Sequence, residues 1–404
     1  MPSSKLERSI TLPSLVLYGL GTAIGAGIYV LIGEASGRAG LFAPLSFILA
    51  GACLAPTAAS YAELAGRLPV SAGESAYVRT GFNSKTMGQV AGWLVIFAGT
   101  FAAAAVADGS VGYLREFVDL SPTLLVILVV MTIGLIAAWG ISESVAIAAT
   151  LTIIEAAGLL AIVGFGLTGS DSVAGRVGEL VPDTLDLDLW NGVFSASLLA
   201  VFAFIGFEDM VNVAEETKNP RRTLPRAIFI TLAVTTLLYV LVASVAVLSV
   251  DPAVLAEDEA PLALVYRETA GFSADLISAI AVLATLNTIL VQIIMVSRVV
   301  YGMADRGSMP AIFARVHPRT RTPLLSTAVT VLVVIVLAVA FPLNRLADFT
   351  SQIVLVIWAL ANLALILMKR RGDAAPEGTY TVPMWVPVVG LITAIGLLAI
   401  TSWP

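Results

Sequence analysis

Cysteine and histidine are almost missing, with one of each in the chain, Cys53 and His317. An intramolecular disulfide is therefore impossible. A His/Cys metal site and a Cys-His or Ser-His nucleophile arrangement are excluded on the same ground, so neither an enzyme nor a bound metal or cofactor is expected. Charge is scarce too. Asp, Glu, Lys and Arg make up 12% of the 404 residues, against 58% hydrophobic residues and a mean hydropathy of +0.95. A soluble domain of this size does not have that composition, so the lipid bilayer is the first expected partner. Nucleic acid is not expected as a partner, and oligomeric state stays open. The first apolar run is a full span without a small-residue cleavage pattern, so no signal peptide is read.

What the chain has instead is long apolar runs. Segments of spanning length lie at roughly 13–33, 41–62, 88–114, 122–139, 144–167, 190–212, 226–249, 273–304, 324–341, 347–368 and 384–403, about eleven in all. Several exceed the roughly 20 residues a bilayer needs, and these should tilt or project beyond it. With a cytoplasmic N-terminus, the inner loops hold seventeen Lys and Arg residues and the outer loops five, Arg38, Arg115, Arg176, Arg267 and Arg345. That asymmetry fixes the expected orientation in the cytoplasmic membrane, with the C-terminus outside after an odd number of spans.

Two spans carry an interruption. The stretch LYGLGTAIGAGIYVLIG, 17–33, has glycines at 19, 21, 25, 27 and 33. Each glycine in a helix interior costs about 1 kcal/mol relative to alanine, and Gly25-Ala26-Gly27 is the weakest point. Glycines also allow close helix packing, which is the competing explanation. In the sixth span, SLLAVFAFIGFEDMV, Gly206 sits between aromatic neighbours and is followed by Glu208 and Asp209. Unwound backbone at membrane depth is tolerated only where it is buried in protein or lines a cavity. Interrupted segments in matching positions of two halves point to a transport site. Amides at the first break, from Ile24 and Gly25 to Ala26 and Gly27, then suit a carboxylate. Carbonyls at the second, from Phe202, Ala203, Phe204 and Ile205 to Gly206, suit an ammonium group. A molecule with both groups on one carbon is an α-amino acid.

These residues resemble a known family. GTAIGAGIY (21–29), YAELAGRLPVSAGESAYVRTGF (61–82), FAFIGFED (202–209) with EETKNPRRTLPRAI (215–228), and SRVVYGMADRGSMPAIFARVHPRTRTP (297–323) stand in the order found in amino acid–polyamine–organocation (APC) permeases. The resemblance implies an all-α polytopic bundle of the LeuT type. Two inverted five-helix repeats, 13–167 and 190–368, would be followed by an extra helix at 384–403, with helices one and six broken at the substrate. It implies that Gly25, Ala26 and Gly27 face the substrate carboxylate, that Ala203, Phe204 and Ile205 face the amine, and that Phe202 is an aromatic gate. Many relatives have twelve spans where eleven are read here. Some proton-coupled relatives carry a fifth-helix lysine where this chain has Glu155, in a pattern opening at Gly140-Ile141-Ser142-Glu143-Ser144 and holding Ala148 in place of an asparagine.

Glu155 falls near mid-bilayer, and no lysine or arginine lies at comparable depth in any span. It is the candidate coupling group, with Glu208 as a candidate gating or coupling residue. Sodium-coupled relatives of the fold this chain resembles place neighbouring Ser/Thr hydroxyls on the eighth helix, a pattern that Thr285, Asn287 and Thr288 match in part. Asp108, near the outer end of the third span, is a candidate selectivity group for cationic side chains. The sequence thus reads as a secondary amino acid transporter by alternating access, through proton-coupled symport or exchange. A polyamine or organic amine carrier, a sodium-coupled symporter and a non-transporting amino acid sensor are the alternatives.

Overall fold

In a computed structural model the described residues are 10–70, 73–139, 144–168, 173–182, 186–271, 273, 275–305, 307, 309–317 and 322–401. Helices follow one another as α1 (Leu12–Ala26), α2 (Ile28–Ala39), α3 (Ala43–Arg67), α4 (Gly73–Phe82), α5 (Lys85–Arg115), α6 (Pro122–Trp139), α7 (Ser144–Thr168), α8 (Leu187–Ala203), α9 (Pro220–Ser249), α10 (Pro252–Glu257), α11 (Pro261–Ala270), α12 (Asp275–Asp305), α13 (Leu324–Ala340), α14 (Leu343–Arg370) and α15 (Trp385–Thr401). No strand occurs among the described residues, and the chain is an all-α polytopic bundle as expected. Among the described residues, six helices are long and apolar enough to cross a bilayer, and five shorter apolar helices accompany them. Two of the short ones, α1 and α8, are short because each stops at a break.

Local chemistry sets the boundaries. Ser84 caps α5 by accepting from the Met87 amide, Asp186 caps α8 through the Asp188 amide, and Asp251 caps α10 through Ala253. Pro220 opens α9 directly after Asn219, which has φ 49°. The outward faces of the peripheral helices are apolar. Leu128 and Leu135 on α6, Ile153 and Leu160 on α7, Leu332 and Val336 on α13, and Ile392 on α15 are all exposed. Water would penalise such a surface and lipid would not.

The interior is organised around α5, which packs on α12 and α14, and around α1, which packs on α7, α9 and α12. At one end of the bundle the buried Glu63 of α3 holds Arg67 and Lys369 at 2.8 Å each and accepts the Val382 amide at 2.7 Å. That cluster ties the segment between α14 and α15 to the end of α3. The amphipathic helices α4, α10 and α11 lie in what the apolar runs alone mark as loops.

Candidate substrate site between two helix breaks

Both interruptions are present, and they differ in kind. The first is a single residue. Gly27 takes φ −85° and ψ −88° between α1 and α2. The second is longer. The helix α8 ends at Ala203, Gly206 takes φ 133°, and a short 3-10 helix resumes over Asp209–Glu216.

The two breaks face each other. The hydroxyl of Thr22 on α1 reaches the Gly206 carbonyl at 3.3 Å, and a β-carbon on Gly206 would stand 2.9 Å from the Ala23 amide nitrogen. A hydroxyl from a third element bridges them. The buried Tyr239 of α9 lies 2.8 Å from the Ala23 carbonyl and 2.8 Å from the Ala203 carbonyl, so its one proton is shared between the ends of α1 and α8. Its ring packs edge-on against Phe47 and Phe204, which fixes the hydroxyl's aim. Tyr239 did not stand out in the sequence, because nothing in its apolar run relates it to Ala23 or Ala203.

The expected donors and acceptors shift accordingly. The Gly27 amide is not free, since it donates to the Ala23 and Ile24 carbonyls. The first-turn amides of α2 therefore belong to Ile28 and Tyr29, two positions beyond the expected carboxylate donors Ala26 and Gly27. The side chains at 25 and 26 lie outside the described set. At the second break the Phe202 carbonyl accepts from the Ile205 amide and the Ala203 carbonyl from Tyr239. The carbonyls of Phe204 and Ile205 take no part in these bonds. Phe202 is fully buried inside the last turn of α8, and Ile24 is fully buried in α1.

Glu208 accepts the Gly206 amide at 3.0 Å, so its carboxylate holds the bend itself. Next to it is Asp209, and a buried Glu74 from α4 joins them in lining one cavity. Burial pushes the Glu74 carboxyl up to about 7.

Glu155 on α7 is fully buried. One carboxyl oxygen accepts from Asn287 of α12 at 3.4 Å, and the other has no hydrogen-bond partner. Its backbone carbonyl accepts the Tyr29 hydroxyl at 2.9 Å, which ties α7 to α2 just past the first break. Thr288 donates to Ala284 within its own helix. Asp108 stands apart from both breaks, in an open hollow with Thr123 and Phe341. Residues 140–143, which open the fifth-helix pattern, and the side chain at 148 lie outside the described set, as do residues 318–321 of the late basic loop.

Known proteins align with this arrangement along most of its length. The chain is 29% identical to "Branched-chain amino acid permease BcaP" of Bacillus subtilis, over 98% of this chain and 89% of that protein. It is 29% identical to "Cationic amino acid transporter 4, vacuolar" of Arabidopsis thaliana, over 92% of this chain and 65% of that longer protein. "Cationic amino acid transporter 4" of Mus musculus is likewise 29% identical, over 93% of this chain and 62% of its own length. These relatives are transporters, not enzymes. The family model described as "Amino acid permease" matches residues 10–404, and the chain belongs to that family, within the APC superfamily.

Proposed function

We propose that this permease moves an α-amino acid across the cytoplasmic membrane by alternating access, with the zwitterion held between the two helix breaks. The observation that carries the reading is the shared hydroxyl of Tyr239, which keeps the ends of α1 and α8 at one point. The start of α2 offers amides and a positive helix end to the carboxylate. The turn after α8 offers carbonyls to the ammonium group. Each charge-assisted bond contributes about 1.5–3 kcal/mol. Relatives named for branched-chain and for cationic amino acids support an amino acid as the substrate. The helices up to α7 and those from α8 to α14 are read as the two inverted repeats, with α15 added. The test is counterflow of labelled amino acids in proteoliposomes holding the purified chain, and an absence of exchange for every amino acid would overturn it.

One ion pair supports closure on the side assigned as outer. Arg38 at the end of α2 lies 3.3 Å from Asp348 at the start of α14, and its guanidinium also approaches Ser195 of α8. The contact joins α2, α8 and α14. The pair is partly exposed and worth about 1 kcal/mol or less, which suits a contact that has to open.

Orientation is tested directly by labelling. Single cysteines placed at 218 and 315 in a Cys53→Ala background are expected to react with an impermeant maleimide only after the membrane is opened. Labelling of either from outside intact cells would reverse the orientation.

For coupling, we read Glu155 as the proton site. It packs beside the first break, one of its oxygens is unpartnered, and among the described residues no basic side chain pairs with it. Ionised, it would oppose a substrate carboxylate nearby; protonated, it would not.

A further inference from the structure

Beyond the second break lies a partly open cavity of about 30 Å³, enough for one water-sized group. Its polar lining comes from four elements: Glu74 of α4, Glu208 and Asp209 after the break, Gln292 of α12, and Thr350 and Trp358 of α14. All six are buried, none more than 5% exposed. Three are carboxylates, and among the described residues no lysine or arginine forms an ion pair with any of them. Two buried acceptors in this lining, Asp209 Oδ2 and Gln292 Oε1, have no hydrogen-bond partner; Trp358 Nε1 is the one buried donor left in the same condition. Buried acceptors in that number are costly unless a donor or a cation meets them. Glu208 is met by the Gly206 amide, but Asp209 Oδ2 and Gln292 Oε1 are met by neither.

The cavity continues from the break. Ile205 lines it, and Glu208 is anchored to the Gly206 amide at 3.0 Å. Ile205 at the break shares this cavity with Asp209 and Gln292, so the cavity adjoins the place where a substrate's α-carbon would sit. Among the described residues no three His, Cys, Asp or Glu side chains converge closely enough to hold a metal ion. The carboxylates surround a space and do not close on a point, which suits an organic cation with several N–H donors.

We propose that this cavity is the side-chain subsite and that it takes the terminal ammonium of a dibasic amino acid such as lysine or ornithine. The proposal rests on the zwitterion site between the two breaks. The test compares lysine with norleucine, which keeps the aliphatic stem and lacks the ammonium, as labelled substrates in proteoliposomes. Lysine is expected to have a kcat/KM about tenfold or more above that of norleucine. Asp209→Asn should bring that ratio close to one. Glu74→Gln serves as the second variant should Asp209→Asn fail to insert. Cadaverine, which has the ammonium and no carboxylate, should compete poorly.

Equal or better transport of norleucine by the unmodified protein, or a ratio unchanged in both variants, would overturn the subsite and leave the amino acid reading standing. Strong competition by cadaverine alongside an intact lysine preference would overturn the zwitterion reading and keep the ammonium subsite. Transport of neither lysine nor norleucine, with exchange of no other amino acid, would overturn both.

Discussion

Gly27→Leu is expected to reduce uptake to background, on the order of a hundredfold, while the protein still inserts and purifies as a folded species. A β-carbon at Gly27 would collide with the Tyr239 hydroxyl and stand 2.8 Å from both the Ala203 carbonyl oxygen and its methyl group. The neighbours that would have to yield are the bridging hydroxyl and the end of α8. The two breaks would separate, and the substrate would lose the simultaneous grip on its two charged groups. A displacement of about 1 Å in such a site is enough for a loss of that order. The rest of α1 and α2 stays helical on either side, so the damage is local. Gly25→Val should act in the same direction. Uptake is measured in proteoliposomes, with recovery from detergent and chromatographic homogeneity as the folding control. Near-normal uptake by both variants would reduce these glycines to packing elements.

Glu155→Gln is expected to retain substrate binding and lose the dependence of uptake on external pH, whereas the unmodified protein should take up more substrate as pH falls from 8 to 5, with sodium replaced by choline. The argument is electrostatic. At an effective dielectric constant of about 20, two like unit charges about 8 Å apart repel by about 2 kcal/mol, roughly thirtyfold in affinity. Protonation removes the repulsion, so proton and substrate each favour the binding of the other by the same factor. Glutamine keeps the shape and can still accept from Asn287, which the carboxylate now contacts at 3.4 Å. A strict sodium requirement, or an unchanged pH response in the variant, would remove Glu155 from this role.

Much of the architecture was legible because bilayer physics writes it into composition. Apolar runs became helices at nearly the expected places, as with 122–139 and α6 or 88–114 and α5. The breaks were legible from Gly25, Gly27 and Gly206, because glycine is costly in a helix and needs a reason. What the sequence withheld is long-range. Tyr239 meets carbonyls 216 and 36 positions away, and a tyrosine in an apolar run has no local mark of that role. The shift of the free amides from Gly27 to Ile28 and Tyr29 depends on a one-residue kink that leaves the Gly27 amide bonded. Glu74 was hidden for a similar reason: it sits on an amphipathic segment that reads as a cytoplasmic loop until α4 folds it beneath the second break. Glu155 was found, since a lone acid at mid-bilayer stands out, and its partner Asn287 was singled out for a different purpose.

The central claim is that one substrate is held by both of its charged ends, between two breaks pinned by Tyr239. Counterflow with competing analogues tests it most directly. With a transported amino acid as the label, the account predicts that the unlabelled parent competes. Its methyl ester, which lacks the carboxylate, and its N-acetyl derivative, which lacks the ammonium, should each compete at least about tenfold less well. Equal competition by either derivative would contradict two-ended recognition.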